Sequence, residues 1–457
     1  MTIKSLQSTS LTNNIFYRSM LAGNVAFGLP SYWLTTLGGT SNEDAKSVAI
    51  DSAGNAYVLG GSYGVGAGDY DFLLAKYNSD GTIQWQRVLG GTGSDEGKSV
   101  AIDSSDNVYV FGYTNSTGEG VNDFLLAKYN SSGTIQWQRI LGGAGNDNGE
   151  SVAIDSSDNV YVLGRSYSVG AGSADLFFAK YNSSGAIQWQ RTLGTNLAEE
   201  GFSVAIDSAN NVYLAGWTQS TGAGGNDLLL AKYNSDGTIQ WQRVLGGTSN
   251  EFSYSLAFDS SDNVYVGGAT RSEGVGNYSC LLAKYNSAGT VQWQKILYGA
   301  DNDQYRGIAV DSNDNIYASG ITSSTTGGDF DYISAKYDAS GALQYQRTLG
   351  GSGNSFSDAI AINSSDSIYL FGKTESTGAG FADFLLAKLP NDGSLTGTYV
   401  LDGVNIVYAA SSLTAATSTL TAATSSLTSA TSGATDSTAS LTSASVSLTS
   451  HFVEIGA

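Results

Sequence analysis

Histidine and cysteine each occur once in this chain, as His451 and Cys280. A single cysteine cannot close an intramolecular disulfide, and a single histidine builds neither a catalytic triad nor a multi-histidine metal site, so most histidine-dependent chemistry is excluded. Basic residues are scarce as well: 21 Lys and Arg stand against 41 Asp and Glu, giving a net charge of −20 and a pI near 4.2. Such a balance disfavours nucleic acid and anionic membrane surfaces as partners through bulk electrostatics. Nowhere do 18 consecutive apolar residues occur, so no membrane insertion is expected, and the opening residues lack an apolar run of signal-peptide length. The expectation is a chain made in the cytoplasm that does not leave by the general secretory route.

What the sequence has is repetition. An aromatic anchor falls at Trp33, Trp85, Trp137, Trp189, Trp241, Trp293 and Tyr345, each 52 residues after the last. Two further signatures accompany it, Ser-Val-Ala-Ile-Asp-Ser-Ser-Asp-Asn-Val-Tyr-Val at Ser99 to Val110 and Asp-Phe-Leu-Leu-Ala-Lys-Tyr at Asp123 to Tyr129. Units of this length with several short strands apiece mean a propeller or a solenoid. Alternation, β-branched and aromatic enrichment and turn residues place four strands per unit: a at Ser99 to Asp103, b at Asn107 to Gly112, c at Asp123 to Asn130 and d at Thr134 to Leu141. The a–b and c–d links are short and rich in turn formers, whereas the b–c and d–a links are long. In an up-and-down blade all long loops then emerge on one face. Four antiparallel strands per unit favour the closed ring, an all-β seven-bladed β-propeller over residues 29–400.

Closure is legible too. Seven sets of strands a, b and c have only six d strands between them. The N-terminal Tyr32 to Leu37 supplies the missing one by pairing with Asp383 to Leu389, which removes the open edges. Ser394 to Val400 competes for that place but has Gly397 where the other units have tryptophan.

The pattern Gly-Gly, acid, Ser-Val-Ala-Ile-Asp-Ser-x-x-Asn-Val-Tyr-Val-x-Gly resembles the bacterial SBBP beta-propeller repeat family over residues 29–393. The segment Asn-Ser-x-Gly-Thr-Ile-Gln-Trp is similar to the tryptophan-docking motif of quinoprotein propellers. Both resemblances imply the fold; neither fixes a function, and no cofactor is expected.

Residues 401–457 form a Ser/Thr/Ala-rich tail. Leu413, Leu420, Leu427, Leu441 and Leu448 recur at one heptad position, with Ala416, Ala423, Ala430 and Ala444 three later. That spacing suggests the a and d positions of a coiled coil, hence an oligomerisation helix and a trimer; a disordered tail is the alternative. Residues 1–28 lie outside the repeats and read as a docking arm, with a disordered leader as the alternative. The opening segment from Ser10 to Asn24 and the closing Ser-Leu-Thr units resemble the ends of structural proteins of marine tailed bacteriophages. This resemblance implies a virion tail or fibre component, with the arm docking to other virion proteins and the propeller facing a host cell-surface glycan or receptor. The alternative is a bacterial cell-surface or type I secreted adhesin.

No unit carries a nucleophile with a base, so no enzyme is expected. Asp51, Asp103, Asp155, Asp207, Asp259 and Asp311 end strand a at a tight turn and read as turn caps. Lys76 and its equivalents in strand c read as partners in salt bridges between blades. Glu43, Asp95, Asp147, Glu199, Glu251 and Asp303 fall in the d–a loops, where they would form a solvated acidic ring, with a cation site as the weaker reading. Against near-identical units, the variable positions are informative. Just after the glycine ending strand b stand Gly61, Tyr113, Arg165, Trp217, Ala269, Ile321 and Lys373; two further on stand Tyr63, Asn115, Tyr167, Gln219, Arg271, Ser323 and Glu375. Period two puts both positions on one side of the chain. Tyr63, Tyr113, Arg165, Tyr167, Trp217, Gln219, Arg271 and Lys373 are the candidate ligand contacts, with Trp217 and Tyr113 as exposed aromatic platforms flanking Arg165; drift at exposed positions is the alternative.

Overall fold

The computed structural model describes residues 32–457, apart from 171–172, 325–328, 379–380, 419–420, 424–427, 432–434, 438–441, 446–448 and 456–457. The expected docking arm, residues 1–28, lies outside the described residues. No helix occurs among those described.

Alternating β-branched and aromatic residues between short polar turns give each unit four antiparallel strands. In the second blade they are Asp95–Ile102, Val108–Thr114, Asp123–Tyr129 and Ile135–Gly142. The a–b turn is held by Asp103, whose Oδ1 accepts the backbone N–H groups of Ser105 (3.0 Å) and Asn107 (2.9 Å). These aspartates are turn caps, as expected. Strand c presents apolar side chains on both sides, and Phe124, Leu125, Leu126 and Ala127 are all buried between neighbouring blades. Strand a of each blade packs against strand a of the next, and that of the seventh, Ser355–Ile362, packs against that of the first, Glu43–Ile50. The result is a closed seven-bladed ring with the a strands innermost.

Tryptophan fastens one blade to the next. Trp85 Nε1 donates to the Ser131 carbonyl of the following blade (3.3 Å), and the Arg87 guanidinium lies 5.1 Å from the Trp85 ring centre while donating to the Gly133 carbonyl (2.7 Å). Gly133 has φ +76°, and a Cβ there would meet the Trp85 ring at 3.0 Å, so glycine is required both by backbone and by contact. The strand-c lysines differ from expectation. Lys76 Nζ lies 3.3 Å from Asp51 Oδ2 of its own blade and reaches the neighbour only at a backbone oxygen, that of Ser131 (3.4 Å).

Ring closure is as anticipated: Tyr32–Gly38 pairs antiparallel with Asp383–Leu389, Trp33 lying opposite Lys388. The competing segment goes elsewhere. Gly397–Leu401 pairs with Val404–Ala410, which itself lies against strand d of the sixth blade.

The tail overturns the helical reading. From the sixth blade it runs backwards around the ring, adding one outer strand to each blade in turn: Val404–Ala410 on the sixth, then Thr414–Thr417, Thr421–Ala423, Thr428–Thr431, Thr435–Ser437 and Thr442–Ser445 on the fifth to the first. Its last strand, Thr449–Ile455, pairs with Tyr32–Gly38. The seven-residue period is therefore a step between blade edges, which an extended chain covers at up to ~3.5 Å per residue. Ser and Thr are mediocre helix formers, Thr suits an edge strand, and the d-strand edges offer backbone donors and acceptors with which the tail strands pair. Leu413 is buried in the cluster between the fifth and sixth blades. Accordingly, the described residues of 401–457 form outer strands of the blades and not a helix.

Candidate functional site

The strand-a residues that differ most between blades converge on the ring axis. In each blade the a–b pairing slips by one residue, between Gly97 and Ser99 in the second blade, so that Lys98 is a β-bulge residue without a cross-strand partner. A bulge turns its side chain out of the regular alternation. Gly112 permits this one because a Cβ there would lie 2.0 Å from the Glu96 carbonyl oxygen. The seven bulge residues, Lys46, Lys98, Glu150, Phe202, Tyr254, Arg306 and Asp358, line one axial cavity of about 260 Å³.

This cavity has two unlike walls. On the fourth and fifth blades Phe202 and Tyr254 meet edge to face with centres 5.7 Å apart, Phe252 stacks on Tyr254 at 6.2 Å, and Trp217 meets Phe252 at 6.4 Å. The remaining wall is ionic. Lys46 lies 2.6 Å from Asp44, Lys98 2.7 Å from Glu96, Lys373 2.8 Å from Asp44 and Arg306 2.6 Å from Asp358, and Arg165 pairs with Glu200. Burial alone would raise the Asp44 carboxyl, but Lys46 and Lys373 hold it down at about 2. Among the described residues Glu150 has no ion pair within 4 Å, and burial raises its carboxyl above the ordinary range despite Lys98, Arg165 and Lys46 nearby. Tyr254 is pushed up to about 12 by burial, so its hydroxyl stays neutral.

The structure divides the candidate contacts into two groups. Tyr113, Arg165, Trp217 and Lys373 lie inside strand b, paired with strand-a residues Glu96, Asn148, Glu200 and Phe356. They brace the cavity wall: the Tyr113 hydroxyl donates to Glu96, and Trp217 is only 9% exposed. Trp217 is thus no open platform, because strand b runs on past its glycine and keeps this position between blades. Tyr63 and Tyr167, by contrast, are 46% and 49% exposed. Arg271 is exposed beside the Tyr278 ring at 5.9 Å, and Gln219 donates to Asn226 Oδ1 (3.0 Å). Exposed Val121, Val275 and Phe381 occur on the same long loops. The bulge residues escaped sequence reasoning because strand a was expected to begin four residues later; listing position 46 against its six equivalents every 52 residues would have found them.

The acidic ring is not solvated. Glu43, Asp95, Asp147, Glu199, Glu251 and Asp303 are the first residues of strand a and fully buried. Each accepts the backbone N–H four residues earlier, as Asp95 Oδ2 does from Gly91 (2.7 Å), and Asp95 also accepts from the Ser116 hydroxyl (2.7 Å). Five of them face a second buried acid that begins strand c: Asp383, Asp71, Asp123, Asp175 and Asp227 oppose Glu43, Asp95, Asp147, Glu199 and Glu251. Burial and the opposing charge push Glu43 up to about 7, and burial pushes Asp71 up to about 6 with Asp95 adding to it. Calcium takes six to eight oxygens, whereas these carboxylates are surrounded by N–H and O–H donors, and no trio of His, Cys, Asp or Glu that could hold a metal occurs among the described residues. In the first blade and at the closure, burial and the opposing charge thus favour the protonated forms of Asp71 and Glu43.

Residues 84–118 and 136–170 match the SBBP beta-propeller repeat, and residues 57–83 and 210–239 match a beta-propeller domain of unknown function, DUF5122. An uncharacterized WD repeat-containing protein of Acanthamoeba polyphaga mimivirus is 23% identical over 78% of this chain and 35% of its own length. The regulatory protein FlaEY of Caulobacter vibrioides is 26% identical over 52% of this chain and 28% of its own. The chain therefore spans about a third of the length of these relatives. Among solved structures, virginiamycin B lyase from Staphylococcus aureus has a TM-score of 0.48 at 9% identity, covering 78% of this chain and 99% of that one. The extracellular region of plexin A4 has a TM-score of 0.48 at 10% identity over 78% of this chain and 46% of that one. The four matched segments are therefore similar to SBBP and DUF5122 beta-propeller repeats, in agreement with the ring that the strands form.

Proposed function

We propose that the protein is a non-enzymatic binding propeller that presents its long-loop face and channel to a cell-surface glycan, as a tail or fibre component of a phage virion. One observation carries the binding reading: positions that differ between otherwise repeated blades gather along the channel and at the long-loop face, and many are aromatic or charged. Drift would leave small polar residues there instead. Aromatic faces beside hydrogen-bonding groups are the combination that sugars require, and Tyr63, Tyr167 and Arg271 have it with exposed side chains. The virion assignment rests on the resemblance of the two flanks to phage structural proteins.

The test is a glycan array together with whole-cell binding of the intact chain and of a Tyr63→Ala, Tyr167→Ala, Arg271→Ala triple variant. The parent is expected to bind at least one surface glycan, and the variant to bind at least tenfold more weakly at an unchanged melting temperature. A parent that binds neither glycans nor cells, or a variant that binds equally well, overturns the reading.

A further inference from the structure

Resting on the glycan reading, we infer that the axial cavity is a subsite for one uncharged sugar residue at the end of a glycan chain, stacked on the Phe202–Tyr254 wall. Three properties of the cavity lead there. The first is size: about 260 Å³ lies just below the lower end of the range for drug-sized ligands, which suits a single ring. The second is shape. One bulge residue from every blade contributes to the wall, so the ring bounds the site on all sides of the axis and leaves it open along the axis. Entry is along the axis, and a chain end is what enters.

The third is charge. Around the cavity Asp44, Glu96, Glu200 and Asp358 are matched by Lys46, Lys98, Lys373, Arg165 and Arg306, and Glu150 brings the cluster to balance. A strongly charged ligand would gain no net field, whereas hydroxyls would meet carboxylate acceptors and cationic donors at once. Glu150 and Arg306 flank the aromatic pair on adjacent blades. The Glu150 carboxylate is not committed to an ion pair, so it is free to accept from two neighbouring hydroxyls of a ring lying on Phe202 and Tyr254, while Arg306 donates from the other side.

The experiment is titration of the intact chain with glucose, galactose, mannose, rhamnose and N-acetylglucosamine singly, followed by saturation-transfer NMR and aromatic fluorescence. At least one sugar is expected to bind saturably at millimolar concentration, weakened about tenfold by Tyr254→Ala and by Glu150→Gln. Glu150→Gln keeps shape and leaves the aromatic wall intact, so it remains informative if Tyr254→Ala destabilises the ring. With a polysaccharide identified on the array, molecules bound should follow the number of chain ends: partial depolymerisation at constant mass should raise binding capacity. Absence of binding by every monosaccharide up to 100-fold above the array-derived affinity range, persistence of binding in both variants, or capacity that follows mass rather than ends each overturns the inference. If the array is positive while these fail, the glycan is held at the rim by Tyr63, Tyr167 and Arg271, and only the channel subsite falls.

Discussion

Replacing Asp71 by asparagine should stabilise the protein at pH 8 and leave it nearly unchanged at pH 4. Asp71 is fully buried, its Oδ1 has no hydrogen-bond partner among the described residues, and the position of the Cβ that Gly90 lacks lies 1.6 Å from that oxygen and 2.9 Å from Asp95 Oδ2. Two carboxylate oxygens thus face one another across a gap with no donor between them. Burial, with Asp95 adding to it, pushes Asp71 up from 3.8 to about 6. The folded state consequently binds this proton more tightly than the unfolded chain, so stability falls as pH rises from about 4 to about 6 and the penalty is complete above that. At about 1.4 kcal/mol per unit, the shift corresponds to about 3 kcal/mol, and to roughly 1–3 kcal/mol once the coupling to Asp95 is shared between the partners. An asparagine Nδ2 in place of Oδ1 would donate to Asp95 Oδ2 at every pH, as the proton does at low pH. With unfolding entropy near 2 cal/mol/K per residue, the gain at pH 8 amounts to about 1–3 °C in melting temperature. Calorimetric or fluorescence melts of parent and variant at both pH values provide the assay. A variant that melts lower than the parent by the same amount at pH 4 and pH 8 would refute the raised Asp71 carboxyl, because the carboxylate would then be needed as an anion.

Three further outcomes are expected. A chain ending at Ala410 uncovers the d-strand edges of the first five blades and the outer edge of the closing strand, so it should aggregate at micromolar concentration in light scattering; a monodisperse product would show that the outer strands contribute nothing. Trp33→Ala removes a fully buried ring and the indole bond to the Ser79 carbonyl at the closure, and should cost about 3–5 kcal/mol in denaturant unfolding. Trp217→Ala should also destabilise, by roughly 2–4 kcal/mol, because its ring is buried against Phe252; an unchanged melting temperature would mean that the side chain is open to solvent after all.

Much of the ring could be read from residue order. The 52-residue period, the two tight turns per unit and the apolar strand c fix blade number, strand count and loop face, and the unit that opens with its last strand gives away the closure. The channel was harder, because a β-bulge breaks the two-residue alternation that marks a strand. Gly97, Lys98 and their equivalents therefore read as loop, and the acids at the start of strand a read as exposed. Trp217 misled for a related reason: side-chain type suggested a binding platform, but exposure depends on where strand b stops, which neighbouring Glu200 decides by pairing with it. The tail misled most. Leucine every seven residues is the mark of a coiled coil only if a partner helix is there to receive it; here the described tail strands lie on seven strand edges, which no local pattern announces.

The girdle of outer strands ties two lengths of the gene together. An array of interchangeable units can ordinarily gain or lose one by duplication or deletion of 52 residues, because each unit touches only its neighbours. This chain cannot do so quietly. A ring with one unit more would leave the returning tail one step short, with its final strand facing the first blade instead of Tyr32–Gly38, and a ring with one fewer would carry Thr449–Ile455 past its partner. Unit number and tail length can change only together, 52 residues in one place and seven in the other, so the short repeat keeps count of the long one.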